Sequence, residues 1–136
     1  MCGIAGYLCL NEVSPREADV QTMLVPMICR GPDGSGVKTI GPAVLGHRRL
    51  SIIDLAGGAQ PLDNEDGSVW VTFNGEIFNY RELRQDLSGR GHRFKTDSDT
   101  ETLVHLYEEY GAALTSHLEG FFAFALYDAA KRKLLL

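Results

Sequence analysis

The sequence predicts a single α+β domain in which short strands are interspersed with helices. Apolar runs of strand length occur at 3–10, 43–47, 69–74 and 121–127. Apolar residues recur at helical spacing over 20–28 and 103–110. The 136 residues suit one domain, and at that size folding buries roughly two-thirds of the surface that the unfolded chain exposes.

The N-terminal part predicts a strand over 3–10, then a helix and a turn. Ser14 is the expected N-cap, and Glu17 completes a capping box with it. Pro26 predicts a kink or an early end of the helix, because proline lacks a backbone N–H. Residues 30–36 are dense in glycine and are interpreted as a turn, without the lysine of a phosphate-binding loop.

The middle of the chain predicts three strands and a hairpin. Two short strands are expected at 43–47 and 50–54, separated by a basic break, and residues 56–60 are expected to form a loop. The Asp-Gly pair at 66–67 is a hairpin signal directly before the strand at 69–74.

Two further helices are predicted from their starting signals. Asn79 and Glu82 form a second capping-type start. Ser98 or Asp99 can cap a third helix, which Gly111 ends.

The C-terminal part predicts a weak short helix over 112–118, a buried strand over 121–127 and a turn at 128–131. A partner strand then starts at Lys133. The apolar residues 134–136 would leave an open sheet edge, which proteins usually avoid. We therefore expect the chain to be the front part of a longer protein.

Composition excludes several classes of partner. The net charge is -5, and no basic cluster predicts contact with nucleic acid or an anionic membrane. No apolar run approaches the roughly 20 residues of a membrane span, and the N-terminus lacks the pattern of a signal peptide. A cytoplasmic location is expected, since a reducing compartment would keep the cysteine thiols free.

The remaining cysteines and the histidines predict no metal site. Cys9 and Cys29 lie in apolar surroundings and are expected to be buried core thiols. The four histidines show no metal-ligand spacing, so no metal is expected. His105 lies on a predicted helix and is interpreted as a structural residue rather than a base.

The position of Cys2, directly behind Met1, suggests covalent chemistry. Removal of Met1 would give Cys2 a free α-amine, and α-amines have an unperturbed pKa of roughly 7.7–8. One residue would then supply both a thiol nucleophile and a base. By itself this placement can also be incidental.

Seven segments together resemble the class II, or N-terminal-nucleophile, glutamine amidotransferases, and among these the glutamine-hydrolysing asparagine synthetases. The segments are MCGIAG at 1–6, RGPD at 30–33, GHRRLSIID at 46–54, GAQPL at 58–62, NGEIFN at 74–79, TDSDTE at 96–101 and LEGFFAFA at 118–125. The match covers essentially the whole chain in order. Cys29 stands where many relatives have histidine.

The resemblance implies that Cys2 attacks the side-chain amide of glutamine and forms a thioester. The Asn74 side chain and the Gly75 backbone N–H would stabilise the oxyanion, as such donors do in acyl transfer. Without the resemblance, a type I′ hairpin turn is the favoured interpretation of the Asn-Gly pair at 74–75.

Substrate recognition is also assigned by the resemblance. Arg49 would bind the α-carboxylate, and guanidinium groups suit carboxylates well. Asp99 would hold the α-ammonium, with Glu76 and Gly75 nearby. The same side of the site would be lined by the backbone of Leu50, Ser51, Ile52 and Ile53. From the residues alone, Arg49 could be a solvated charge and Asp99 a helix N-cap.

The fold implied is a four-layer αββα sandwich of antiparallel sheets, the N-terminal nucleophile hydrolase fold, incomplete at its C-terminus. Residues 1–136 would form one amidotransferase domain without a cofactor. A synthetase domain of the same polypeptide would use ATP and Mg²⁺ to convert aspartate to asparagine. L-glutamine is the expected ligand, and a homodimer is left open. Cys2, Asn74 and Arg49 should then face one cleft, with the Cys2 sulfur within roughly 4–7 Å of Asn74.

Alternatives remain at this level. Another class II amidotransferase could serve sugar-phosphate, purine or secondary-metabolite amidation. A non-catalytic module could also retain the fold.

Overall fold

Two antiparallel sheets form the centre of the protein in the computed structural model, which describes residues 1–11, 14–51 and 57–136. The first sheet contains β1 (Gly3–Leu8), β2 (Gly34–Ile40) and β3 (Ala43–Arg49), with β3 in the middle. The second sheet has the order β4 (Leu62–Asp63), β5 (Val69–Ile77), β6 (Gly120–Asp128) and β7 (Lys133–Leu135). Every pairing is antiparallel.

The helices cover the outer faces of the two sheets. α1 (Glu17–Leu24) packs on the first sheet, whereas α2 (Tyr80–Gly89) and α3 (Glu101–Tyr110) share a core with the second. Short 3₁₀ segments follow α1 at Val25–Met27 and α3 at Gly111–His117. The predicted αββα layering is confirmed. Within the described residues, no helix has the length and apolar character that crossing a membrane requires.

Alternation along β3 builds both faces of the first sheet. Ala43 and Leu45 belong to the apolar layer between the sheets, together with Tyr127 of β6. Val44 points the other way and packs with α1. Gly46 lies on the same face of β3 as Val44. A Cβ at this position would lie only 2.3 Å from Val20 Cγ1, so glycine allows α1 to approach the sheet closely.

Two buried polar contacts join the sheets. His47 Nε2 on β3 donates a hydrogen bond to the Phe73 carbonyl on β5 over 3.1 Å. Thr72 Oγ1 donates to the Gly46 carbonyl over 3.1 Å. Both contacts connect the central strand of the first sheet to β5, so they fix how the two sheets face each other.

The sequence predicts a turn over residues 30–36, but residues 34–36 belong to a strand. β2 begins at Gly34, opposite Arg49 in the β3 register. A Cβ at Gly36 would lie 2.0 Å from the Gln60 carbonyl oxygen. The glycine signal therefore reflects a close approach of two backbones, and pairing with β3 overrides the local turn preference.

The helix caps also differ from the sequence predictions. α1 begins after Arg16, so the capping box from Ser14 is wrong. The Glu17 carboxylate instead accepts hydrogen bonds from the N–H and hydroxyl of Thr39 on β2. α3 begins after Thr100, so neither Ser98 nor Asp99 is the N-cap residue. The early end of α1 before Pro26 is confirmed.

Asn79 precedes α2 as predicted, but its side chain does not cap the helix. Asn79 Nδ2 donates to the His117 carbonyl over 2.9 Å, and Asn79 Oδ1 accepts from Glu119 N over 3.0 Å. The amide therefore links the start of α2 to the segment that precedes β6.

Strand limits in the middle of the chain are corrected as well. β3 runs through the basic residues to Arg49, and Leu50 and Ser51 lie outside any strand. The rest of the predicted 50–54 strand lies outside the described residues. β5 continues through 74–75 to Ile77, which rules out a hairpin turn there. The hairpin before β5 and the partner strand β7 are confirmed.

The two remaining cysteines do not form part of a core. Cys9 is half-buried and Cys29 is exposed, so the expectation of buried thiols is wrong. Cys29 lies just after the 3₁₀ segment that ends the α1 region, where the chain runs along the surface.

The inter-sheet histidine generates a prediction about acid stability. Burial lowers the pKa of His47 from 6.5 to about 4; the Phe73 hydrogen bond opposes this shift and the Arg49 charge adds to it. Between these two values the unfolded chain binds a proton that the folded chain does not, so folding stability falls as the pH falls. At roughly 1.4 kcal/mol per pH unit, this contribution is about 3 kcal/mol.

The test is denaturant unfolding of the wild type and His47→Gln between pH 7 and pH 4. Glutamine keeps a donor for the Phe73 carbonyl but does not titrate, so the variant should lose stability less steeply with acid. Equal pH slopes for the two proteins would contradict this account of His47.

Candidate active site

A cavity of about 110 Å³ lies at one end of the layer between the sheets. Pockets for drug-sized ligands span roughly 300–1,000 Å³, so this one suits a ligand of amino-acid size. Its walls come from the N-terminus, the end of β3, the segment before β4, β5, the start of α3 and β6. The lining residues are Met1, Cys2, Arg49, Leu50, Gly58, Gln60, Phe73, Asn74, Gly75, Glu76, Ser98, Asp99, Thr100 and Phe121.

Strand alternation explains why the polar side chains converge. Arg49 has the same parity on β3 as His47, which faces the second sheet. Asn74 has the same parity on β5 as Thr72, which faces the first sheet. Cys2 stands one residue before the Gly3–Arg48 pair, so it continues the register beside Arg49.

The Cys2 sulfur is held by the backbone of Leu50. Leu50 N donates to Sγ over 3.3 Å, and the thiol faces the Leu50 carbonyl at 3.6 Å. The Cys2 carbonyl accepts a hydrogen bond from Arg30 Nε over 3.3 Å. The half-buried thiol is thus fixed at the cavity wall by the residue that follows β3.

Gly75 has a structural reason to be glycine that the sequence did not reveal. It pairs with Phe122 on β6, and a Cβ would lie 2.2 Å from the Phe121 carbonyl oxygen and 2.6 Å from Phe122 Cα. The missing side chain therefore lets β6 approach and leaves the Gly75 backbone at the cavity.

Asp99 is a buried carboxylate at the start of α3. Its Oδ2 accepts a hydrogen bond from Ile77 N over 3.1 Å, at the end of β5. Burial raises the pKa of the Asp99 carboxyl; hydrogen bonds from the backbone of Ile77 and Thr100 oppose this, and the negative charge of Glu76 adds to it. A cation in the cavity would relieve the cost of ionising this group.

Gln60 also lines the cavity, and sequence reasoning missed it. Its Oε1 accepts from Phe73 N over 2.7 Å, and its Nε2 donates to Thr100 Oγ1 over 3.1 Å. Gln60 therefore ties β5 to the start of α3 across the cavity wall. It lies in the GAQPL segment, but a loop position gave no indication of this contact.

Glu101 is a second missed residue, and it shapes the segment before Asp99. Its carboxylate accepts hydrogen bonds from Lys95 N and Thr96 N, each over 2.7 Å, and from the Thr96 hydroxyl. Burial alone would raise its pKa, but His105 and these hydrogen bonds lower the pKa of Glu101 to about 2. It is therefore a buried anion that organises the chain around it.

The predicted catalytic and substrate-binding residues divide into three groups. The residues at the cavity are Cys2, Arg49, Leu50, Asn74, Gly75, Glu76 and Asp99. Ser51 does not line it, and its backbone N–H donates to Asp33 Oδ2 over 2.8 Å. Ile52 and Ile53 lie outside the described residues.

A possible metal-ligand group also occurs, away from this cavity. Within the described ranges, Glu65, His92, His105 and Glu108 bring their ligand atoms within 4.8 Å of one another. The sequence gave no signal for it, because the two histidines belong to different segments.

Comparison with known proteins identifies the family. The sequence model of the family described as "Glutamine amidotransferase domain" matches residues 1–136 of this chain. The chain belongs to the glutamine amidotransferase family. The resemblance inferred from the seven sequence segments is thereby confirmed.

Curated relatives of this amidotransferase domain are glutamine-hydrolysing asparagine synthetases. The protein of Sandersonia aurantiaca is 45% identical over 95% of the chain, and one from Arabidopsis thaliana is 45% identical over 94%. A Bacillus subtilis asparagine synthetase is 42% identical over 94%. The chain spans 24%, 22% and 21% of these three proteins, respectively, which is less than a quarter of each.

Solved structures agree with the fold of the amidotransferase domain. The glutamine phosphoribosylpyrophosphate amidotransferase of Bacillus subtilis, complexed with ADP and GMP, aligns with a TM-score of 0.52 at 29% identity. The alignment covers 65% of the chain and 22% of that structure. A structure described as the allosteric regulatory enzyme of purine biosynthesis has the same TM-score at 31% identity, with the same coverage of both chains.

The close approach at Gly75 predicts a strong effect of a single methyl group. Gly75→Ala should lower the free energy of unfolding by about 1–3 kcal/mol, because the Cβ would overlap the β6 backbone. Gly89→Ala is the matched control, since its Cβ meets nothing within 4 Å on α2. The control should gain up to about 1 kcal/mol from helix propensity. Similar stabilities of the two variants in urea would overturn this reading of Gly75.

Proposed function

We propose that this chain is the glutamine-hydrolysing domain of an asparagine synthetase. The observation that carries the proposal is the convergence of Cys2, Arg49, Asn74 and Asp99 on one small cavity. These side chains come from distant parts of the sequence and offer a nucleophile, an amide donor and two opposite charges. The identity of 42–45% to asparagine synthetases supports the choice of reaction.

The proposed chemistry begins with loss of Met1, which frees the Cys2 α-amine. That amine takes the thiol proton, and the sulfur attacks the side-chain amide carbon of glutamine. The Asn74 amide and the Gly75 N–H donate to the oxyanion that forms. When the intermediate collapses, the proton passes to the departing nitrogen, which leaves as ammonia. Water then attacks the thioester, releasing glutamate and restoring the thiol.

Recognition of glutamine rests on its two charged α-substituents. Arg49 at the end of β3 would bind the α-carboxylate. Asp99 would bind the α-ammonium, which supplies the positive charge that favours ionisation of this buried carboxyl. Glu76 lies at the same cavity and adds negative charge on the ammonium side.

In the full-length protein we propose that the ammonia passes to a synthetase domain. That domain would bind ATP and Mg²⁺, activate aspartate and release asparagine. The whole protein would act in the cytoplasm, and the homodimer stays a prediction.

The second candidate is an amidotransferase that delivers ammonia to another acceptor. The structural similarity to phosphoribosylpyrophosphate amidotransferase supports this alternative, but the identity is lower, at 29%. Higher identity to asparagine synthetases across nearly the whole chain favours aspartate as the acceptor. Glutamine hydrolysis is common to both proposals.

Replacement of the nucleophile is the direct test. Cys2→Ala should reduce glutamate release from glutamine by at least roughly 1,000-fold, because no thioester can form. Cys29→Ala is the control, since this thiol is exposed and lies outside the lining of the cavity. Intact mass should show that Met1 is absent from the active protein. Glutamate release by folded Cys2→Ala at the rate of the control would refute the proposal.

Neighbouring arginines provide a matched test of recognition. Arg49→Ala should weaken glutamine binding roughly 10- to 150-fold, which is the loss of one charge-assisted hydrogen bond. Arg48 points away from the cavity and donates through Nε to the Gly31 carbonyl over 3.0 Å, so Arg48→Ala should leave the affinity unchanged. Calorimetric titration of glutamine into Cys2→Ser proteins measures both. Equal affinities for the two arginine variants would place the α-carboxylate elsewhere.

A further inference from the structure

Four potential metal ligands meet on the α3 side of the second sheet. Glu65 lies between β4 and β5, and His92 lies between α2 and α3. His105 and Glu108 lie one turn apart on α3. None of the four lines the active-site cavity. Three separate segments of the chain therefore converge on one small region.

The separations between donor atoms fit coordination around a single ion. His105 Nδ1 is 2.9 Å from Glu108 Oε2 and 3.5 Å from Glu65 Oε2. His92 Nδ1 is 3.4 Å from the same Glu108 oxygen and 3.9 Å from Glu65 Oε1. Two ligands of a tetrahedral Zn²⁺ with bonds of roughly 2.0–2.1 Å lie about 3.3 Å apart. The four nitrogen–oxygen distances, from 2.9 to 3.9 Å, lie on both sides of this ligand–ligand separation.

One outward-facing imidazole nitrogen has a partner of the kind found around metal sites, since His92 Nε2 contacts Glu109 Oε1 at 3.0 Å. His105 Nε2 points towards Glu101 Oε1, but at 3.8 Å it makes no hydrogen bond within the described residues. In metalloproteins, the second nitrogen of a ligating histidine commonly donates to a carboxylate, which fixes the ring and its tautomer. Both imidazoles therefore turn Nδ1 towards the cluster and Nε2 towards an outer carboxylate.

The two carboxylate ligands are held in the same way. Glu108 Oε1 accepts from Asn64 Nδ2 over 2.8 Å, which leaves Oε2 facing the histidines. Glu65 Oε1 accepts from Arg93 N over 2.8 Å. Both carboxylate ligands are thus oriented by a neighbour outside the cluster.

The charge balance favours a cation at this point. Four carboxylates, those of Glu65, Glu101, Glu108 and Glu109, surround two imidazoles, and Arg90 pairs with Glu109 at 3.2 Å. His105 is completely buried. A divalent ion would supply the positive charge that the glutamates favour.

We propose that His92 Nδ1, His105 Nδ1, Glu65 and Glu108 bind one divalent transition-metal ion of the Zn²⁺ type. Two nitrogen and two oxygen ligands would fill all four positions of a tetrahedral ion and leave none open for a reacting water, which suits a structural rather than a catalytic site. This proposal departs from the sequence-based expectation of no metal, and it does not rest on the proposed glutamine hydrolysis.

The ion would link the β4–β5 hairpin, the α2–α3 connection and α3. Glu101 on the same helix also holds Lys95 and Thr96, in the segment that leads to Asp99. Metal binding should therefore stabilise this region of the domain without supplying a reacting group.

The test uses the full-length protein after treatment with a chelator, with Co²⁺ as a spectroscopic probe and Zn²⁺ as its competitor. The wild type should bind one Co²⁺ per chain with the intense visible bands of a tetrahedral ion, and Zn²⁺ should displace it. Glu65→Gln and His92→Ala, at less buried ligands, should weaken this binding by more than about 100-fold. His117→Ala is the matched control, because His117 stacks on Tyr110 outside the cluster, and it should bind as the wild type does.

Thermal unfolding provides a second measurement on the same proteins. Zn²⁺ should raise the melting temperature of the wild type and His117→Ala but not of His92→Ala. The proposal is overturned if the folded wild type binds no Co²⁺ or Zn²⁺ at micromolar concentrations, if its Co²⁺ spectrum is only octahedral, or if His92→Ala binds as tightly as His117→Ala.

Discussion

The contact between β3 and β5 is the constraint on which the rest of the domain depends. Apolar packing between the sheets gives no direction along the strands, but the hydrogen bonds of His47 to the Phe73 carbonyl and of Thr72 to the Gly46 carbonyl do. Leaving the buried His47 ring or the buried Thr72 hydroxyl without a partner would cost about 1–3 kcal/mol. Once this register is set, period-two alternation carries Arg49 and Asn74 to the same end of the inter-sheet layer.

The start of α3 is organised by buried polar groups that also border the cavity. Glu101 holds the backbone of Lys95 and Thr96, Asp99 accepts from Ile77, and Gln60 joins Phe73 to Thr100. These contacts hold the segment before α3 against β5. Asp99 is therefore held at the cavity despite the cost of burying a carboxylate there.

Two groups of charged side chains in the described part of the chain differ in what would neutralise them. At the cavity, Glu76 adds its negative charge to that of Asp99, and the α-ammonium of glutamine would supply a positive charge there under the proposed function. At the cluster on α3, imidazoles and carboxylates lie close enough to share one ion. The first arrangement suits a ligand that enters and leaves, whereas the second suits a group that stays.

The sequence by itself determined the layered α+β class, the family, and half of the residues that line the cavity, because these depend on local periodicity and on motifs that survive in order along the chain. Only the tertiary structure decided the rest. Residues 34–36 form a strand because β3 pairs with them, and Gly75 must be glycine because β6 passes within contact distance. α1 begins after Arg16 rather than at Ser14, and Glu17 bonds Thr39 on β2. The roles of Gln60, Glu101 and the His92–His105 cluster arise from contacts between distant segments. No local pattern encodes such contacts, since they exist only after the sheets have packed.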